Sequence, residues 1–259
     1  MKTSIAFICA AFIMIALTSF EYFNPIIQSS QKFCSQVSLE NREEPKLDFF
    51  YGYGSRFSGI TKTAILKATS ITDFFPEEHV QRIISYGETS LVIVKYERES
   101  DEREYSVGPL LSDAQRKILE SADYSTNFNI RAVCKQHNPE TGILENSVYN
   151  PHFTIVPEKQ AEFTEGKEVL INYLKENSTK EKAIAQSREK LRPAKIYFTV
   201  TKDGKISNVK LGNHSGYEVI DAKMMKLITN MPGNWKPAEN EKGEKVDQEL
   251  VVSYGLEGC

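Results

Sequence analysis

The chain has 259 residues, 40% of them apolar and 26% charged, with a formal net charge of −3 and a pI near 5.9. This length allows one large domain or two small ones, and the apolar share excludes a wholly disordered chain. The acidic balance excludes a generally basic nucleic-acid binder, because nothing overall would release counterions from a phosphate backbone. Four cysteines are too few for a disulfide scaffold.

The run from residue 3 to residue 20 is uncharged and mostly apolar. As a helix rising about 1.5 Å per residue it spans roughly 27 Å, barely the hydrocarbon core of a bilayer. Residues 1–28 are therefore read as a short membrane anchor or a secretory signal. Either one carries the rest of the chain out of the cytoplasm. Cys9 lies inside this run, which leaves Cys34, Cys134 and Cys259. In an oxidising compartment these three thiols permit one disulfide and leave one cysteine over, with no pairing assigned.

Residues 29–46 are polar and patternless and read as a tether. Residues 47–53 are aromatic-rich and strand-like. Thr61 is placed to cap a short helix through Leu66 and Lys67. Residues 90–96 form a strand, and the five acids and two arginines of residues 97–104 read as a solvated loop. Ser112 caps a helix of about ten residues. Phe128, Ile130, Ala132 and Cys134 alternate, and so do the residues of 152–156. The turn-rich Asn138-Pro139-Glu140-Thr141-Gly142 between them predicts a hairpin. Residues 47–158 thus form an α+β domain.

Residues 159–259 form a second one. Thr164 is a candidate N-cap for a helix carrying Leu170, Tyr173 and Leu174. Charged residues 178–191 suit a helix or an extended chain equally. Ile196, Phe198 and Val200 alternate up to Asp203-Gly204, which suits a two-residue type I′ turn with positive φ at both central positions. Val209 and Leu211 mark the return strand. Ile220, Met224, Leu227, Ile228 and Met231 make an amphipathic helix stopped by Pro232-Gly233. In the last strand Val246, Gln248, Leu250, Val252 and Tyr254 share one face, while Asp247, Glu249 and Ser253 take the other. A three-stranded antiparallel sheet with both helices on one face buries all these stripes.

No catalytic, cofactor or metal site is expected, and the chain is read as non-enzymatic. Gly52-Tyr53-Gly54 opens like a dinucleotide loop, but Phe57 stands at the third glycine position. Cys134 and His137 have metal-ligand spacing and His152 lies on the expected partner strand, yet a zinc site takes about four ligands. His214 precedes a Ser-Gly turn and reads as solvated.

An ordered set of residues carries a family resemblance. It runs through Gly166, Leu170 and Tyr173-Leu174, then Ile196, Phe198, Val200, Asp203-Gly204, Ile206 and Val209. It continues through Gly216, Ile220-Asp221 and Met225, then Pro232, Trp235 and Pro237, and ends at Gly243 and Val246. Across most of residues 160–259 this pattern closely resembles the C-terminal domain of the TonB family of energy transducers. Trp235 reads as a core anchor within it.

In that family an inner-membrane helix is linked to the ExbB–ExbD proton channel. The C-terminal domain grips the TonB box of an outer-membrane receptor by adding it as a strand to its sheet edge. The resemblance therefore implies a periplasm-facing envelope protein supporting energy-dependent transport, with such a receptor and the proton channel as partners. The last strand would be the partner-binding edge: Val246, Asp247, Gln248, Glu249, Leu250, Val251, Val252, Ser253 and Tyr254. An edge strand exposes N–H and C=O groups that template an incoming strand. Three features depart from the family, the first being that the α+β domain of residues 47–158 stands where the family has its Pro-rich spacer. Residues 3–20 hold no histidine, and the ten prolines are scattered rather than gathered into a stiff spacer. A second reading accordingly stays open: a secreted or envelope binding or structural protein that reuses the fold without energy coupling.

Overall fold

Strand alternation and short apolar helix stripes sort the chain into an α+β fold dominated by two larger sheets. The computed structural model describes residues 49–95, 98–179 and 191–256, which fall within one compact unit. An aromatic strand, β1 (Phe49–Gly54), comes first, and its partner lies at the other end of the chain. Residues 55–57 then deliver β2 (Ser58–Thr61) into a different sheet. Thr61 caps α1 (Lys62–Lys67) as expected, its hydroxyl accepting the Ala64 N–H at 3.2 Å. One turn of helix, α2 (Glu77–Val80), precedes the hairpin of β3 (Ile83–Lys95) and β4 (Arg98–Val107). Ser112 starts α3 (Asp113–Ser121) through a reciprocal capping box with Gln115. Then come β5 (Asn127–His137), β6 (Leu144–Tyr149) and β7 (His152–Val156).

These strands form a six-stranded sheet in the order β2-β7-β5-β3-β4, with β6 beside the far half of β5. Leu91, Ile93, Phe128, Ile130 and Ile155 point from its inner face into a core closed by Ile65, Ile71, Phe74 and Leu119. The Lys62 ammonium donates to the Leu119 and Glu120 carbonyls at 3.0 and 2.9 Å, satisfying acceptors that the end of α3 leaves open.

The chain then builds the other sheet. The two-residue strand β8 (Glu162–Phe163) leads to α4 (Lys167–Asn177), and β9 (Ala194–Val200) pairs with β10 (Ile206–Asn213). Helix α5 (Glu218–Thr229) follows, then the short strands β11 (Trp235–Lys236), β12 (Ala238–Glu239) and β13 (Lys245–Val246), and last β14 (Gln248–Leu256). The strand order is β1-β14-β9-β10, antiparallel throughout. Leu170, Leu174, Ile220, Met224, Leu227 and Ile228 of the two helices cover one face, against Ile196, Phe198, Val200, Leu250, Val252 and Tyr254. The predicted three strands and two helices are present, and a fourth strand has joined them.

Several expectations need correction. Residues 49–54, assigned to the first domain, belong to the sheet of the second. The expected break at residue 158 therefore does not divide the sheets cleanly. The acidic stretch after residue 97 is the strand β4, not a loop: it lies at the sheet edge, where both faces meet water and charges deter pairing with another chain. The hairpin partner of β5 is β6, while β7 pairs with the first residues of β5. Thr164 does not cap α4. Its hydroxyl donates to the Asn234 carbonyl at 2.9 Å, and the helix starts after Gly166 at φ 93°. Among described non-glycine residues only Ser125 and Asn208 have positive φ, so Asp203-Gly204 is no type I′ turn. The Gly204 N–H bonds Thr201 O at 2.8 Å and the Thr201 N–H bonds Lys205 O at 2.8 Å, a longer loop ending in a left-handed glycine at φ 73°. Residues 1–48 and 180–190, with the predicted anchor, tether and charged stretch, lie outside the described residues.

Trp235 is 6% exposed and touches the rings of Phe163 and Phe198 at 5.4 and 5.6 Å, with Tyr53 edge-on at 5.8 Å. Urea unfolding should show Trp235→Ala costing about 3–5 kcal/mol, the range for truncating a buried large aromatic. The indole N–H has no partner among the described residues. Trp235→Phe therefore forfeits no hydrogen bond and should cost under about 2 kcal/mol.

Candidate partner-binding site

The strand expected to be an open edge is an inner strand. On one side β14 pairs with β9, from Gln248↔Val200 to Tyr254↔Ala194. On the other it pairs antiparallel with β1, from Phe49↔Leu256 to Gly54↔Val251. Beyond the end of β1, the Glu249 N–H bonds the Ser125 hydroxyl at 2.9 Å instead of β9. N–H groups alternate sides along a strand, so those of Val251, Ser253 and Gly255 point the same way, toward β1. Residues 49–54 and Ser125 together occupy the edge that an incoming strand would need. Ser125 holds φ 67°, a left-handed conformation uncommon for a residue with a side chain. Its own N–H bonds the Ile155 carbonyl at 2.7 Å, which stitches the end of β7 to β14.

β1 is held by side chains as well as by its ladder. Phe49, Tyr51 and Tyr53 alternate onto the core face, while Phe50, Gly52 and Gly54 face away. Phe49 stacks near Tyr254 at 6.5 Å between ring centroids. The Tyr51 hydroxyl bonds Ser178 Oγ at 2.5 Å, and that hydroxyl in turn donates to the Leu174 carbonyl at the end of α4. Lys167 Nζ sits 5.5 Å from the Tyr53 ring centroid.

The remaining residues of the expected edge are structural. Val246 pairs with Ala238 in the β12–β13 hairpin. Asp247 Oδ1 accepts the Lys202 N–H at 2.7 Å, pinning the loop after β9. Gln248 is buried: its carbonyl accepts the Ala161 N–H at 2.7 Å and its amide donates to Gln160 Oε1 at 3.1 Å. Leu250, Val252 and Tyr254 are core, Val251 is buried on the opposite face, and Ser253 is half-buried. The Tyr254 hydroxyl donates at 2.6 Å to Oδ1 of buried Asp221, whose carboxylate also accepts the Ser215 N–H at 3.1 Å. Burial first, and then this carboxylate, push the Tyr254 phenol well above the usual tyrosine range.

The cysteine expectation is corrected in part. Cys134 is a buried free thiol, 2% exposed, whose S–H donates to the Ser147 carbonyl at 3.7 Å, so it enters no disulfide. Burial raises its pKa, which disfavours the thiolate. Cys34 and Cys259 lie outside the described residues. Cys134, His137 and His152 are not brought together: Cys134 is buried within the sheet, His137 Nδ1 lies 2.9 Å from the Gly142 carbonyl in the turn, and His152 packs on Phe57. Among the described residues no group of three His, Cys, Asp or Glu side chains is placed to hold a metal ion. His214 stands 77% exposed, 3.5 Å from Asp221.

Compared with protein-family models, with curated proteins and with solved structures, the chain finds no match in any of the three.

Two measurements check this arrangement. Val251→Pro removes an N–H that faces Gly54 and should cost on the order of 3 kcal/mol. Hydrogen exchange should then speed up at Phe50 and Gly52 more than at the β9 amides. Equal protection in variant and wild type would show that the Val251 N–H does not face β1. The second measurement concerns alkali. A tyrosine whose folded pKa is raised stabilises fully below its ordinary value near 10, and that stability is lost as pH rises beyond it. Stability should fall by about 1.4 kcal/mol per pH unit above 10 on account of Tyr254, and Tyr254→Phe should remove that share of the slope in urea titrations.

Proposed function

We propose that this chain is a TonB-like, non-enzymatic adaptor of the bacterial cell envelope that holds an extended segment as a strand beside β14. The observation that carries the reading is β1. A six-residue segment, far from β14 in sequence, lies on β14 as an added antiparallel strand, so this edge accepts a strand in the manner of β-augmentation. In the family it resembles, the segment comes from the TonB box of an outer-membrane receptor, and residues 49–54 would hold its place until displaced. Residues 1–28 would anchor or export the chain, and an anchored form would engage the ExbB–ExbD proton channel. Among the described residues no helix is long and apolar enough to cross a membrane, and residues 1–28 lie outside them.

The resident strand adds a specificity that backbone pairing alone lacks. Phe49, Tyr51 and Tyr53 fill three successive inward positions, so a competing segment with large apolar side chains at alternate positions is favoured. The same anchors also support the second reading, an envelope binding or structural protein in which β1 never leaves and no energy is coupled.

A labelled receptor-derived TonB-box peptide, titrated into the full chain by fluorescence anisotropy, separates the two. Strand exchange predicts saturable binding together with loss of amide protection in β1. It also predicts binding roughly tenfold tighter for Tyr51→Ala if that change weakens β1 by about 1.4 kcal/mol, because the competent state is then more populated. No binding by either wild type or Tyr51→Ala would remove the exchange reading and leave β1 as a permanent strand.

A further inference from the structure

Every second residue of β1 faces the core of the four-stranded sheet, so Phe49, Tyr51 and Tyr53 mark three seats beside β14. The seats differ in chemistry. The first, under Phe49, is a ring surface: Tyr254 lies 6.5 Å away between centroids with the planes 15° apart. The third, under Tyr53, is bounded by the edge of Trp235 at 5.8 Å and by Lys167 Nζ, 5.5 Å from the ring centroid. A cation beside that seat favours an aromatic face over an aliphatic chain.

The middle seat is polar. Its end wall is Ser178, directly after α4 and 2% exposed. A serine hydroxyl has a single proton, and Ser178 gives its own to the Leu174 carbonyl at 2.7 Å. Toward β1 it can therefore only accept, and it accepts from the Tyr51 hydroxyl at 2.5 Å. Phenylalanine or an aliphatic residue in this seat would leave a buried acceptor without a partner, a cost that selects for a donor. Serine or threonine would carry its hydroxyl on Cβ, a whole ring short of the place the phenol reaches. Only tyrosine combines the length with the donor and a neutral apolar body.

Between the seats the strand is permissive. A Cβ added at Gly52 meets nothing within 4 Å, so that position takes any side chain. Proline is the exception, because the Gly52 N–H faces Ser253 in the ladder.

We infer that the segment received at β14 carries the pattern aromatic-x-Tyr-x-aromatic, antiparallel to β14, with Ser178 as the residue that reads its central hydroxyl. The inference rests on the strand-exchange reading proposed above and names the class of segment which that site takes. β1 is then an internal copy of the ligand, and its alternation is the pattern to expect in a partner.

Fluorescein-labelled Lys-Phe-Thr-Tyr-Thr-Tyr-Lys, and the same peptide with Phe in the central place, are the probes. Each is titrated by anisotropy into the full chain carrying Tyr51→Ala, in which β1 competes less. The tyrosine peptide should bind roughly fivefold more tightly, the worth of one buried hydrogen bond. Adding Ser178→Ala should bring the two affinities within about twofold of each other, with circular dichroism verifying the fold. A purely structural role for Ser178 would shift both peptides together and leave their ratio intact, which would overturn its assignment as the reader. Saturable binding of both peptides with equal affinity before Ser178 is changed would overturn the tyrosine pattern and leave strand exchange standing. Binding of neither peptide would overturn both.

Discussion

A strand edge left open exposes a row of N–H and C=O groups that must find partners. In this chain the edge of β14 finds them in its own residues 49–54, and much of the architecture follows. Because β1 belongs to the four-stranded sheet and β2 to the six-stranded one, the linker of residues 55–57 must cross between them. That crossing brings the sheets together and places Arg56 at the cleft between them. The left-handed Ser125 closes the remaining length of the same edge. Two local chemistries, an aromatic ladder and one hydroxyl, thus complete what the last strand alone would leave unsatisfied.

The closed edge changes what recognition would mean on the proposed reading. A bare edge reads little sequence, because every residue brings the same backbone groups. On the proposed reading, an edge already holding Phe49, Tyr51 and Tyr53 would be selective, since a newcomer would compete with three half-buried rings and with the Tyr51–Ser178 bond. The cost of entry is the free energy of β1, and it is set by side chains as much as by the ladder.

Much of this was legible in the sequence. The face of the last strand could be read residue by residue: Gln248, Leu250, Val252 and Tyr254 are all inside, as their alternation dictates. The caps at Thr61 and Ser112 and the stripe of α5 were equally plain, because each depends on residues a few positions apart. Pairing between residues 49–54 and 251–256 was not legible. The alternation of aromatic residues with Gly52 and Gly54 marks a strand with one anchored face, but periodicity does not name a partner two hundred residues away. The charged strand β4 was hidden for a different reason. An edge strand exposed on both faces loses the hydrophobic alternation by which strands are found, and its Asp, Glu and Arg look like those of a loop.

The partnership of the first and last described strands also dictates an order of assembly. The chain is synthesised from its N-terminus, so β1 is made well before β14. The contacts of the six-stranded sheet from β3 to β7 are mostly local, so that core is free to form on emergence. β1 must wait, its aromatic side chains uncovered, until β9, β10 and β14 have arrived. Through that interval a neighbouring copy, or any unpaired strand edge, competes for the same surface, which makes completion of the C-terminal hundred residues the step most exposed to misassembly.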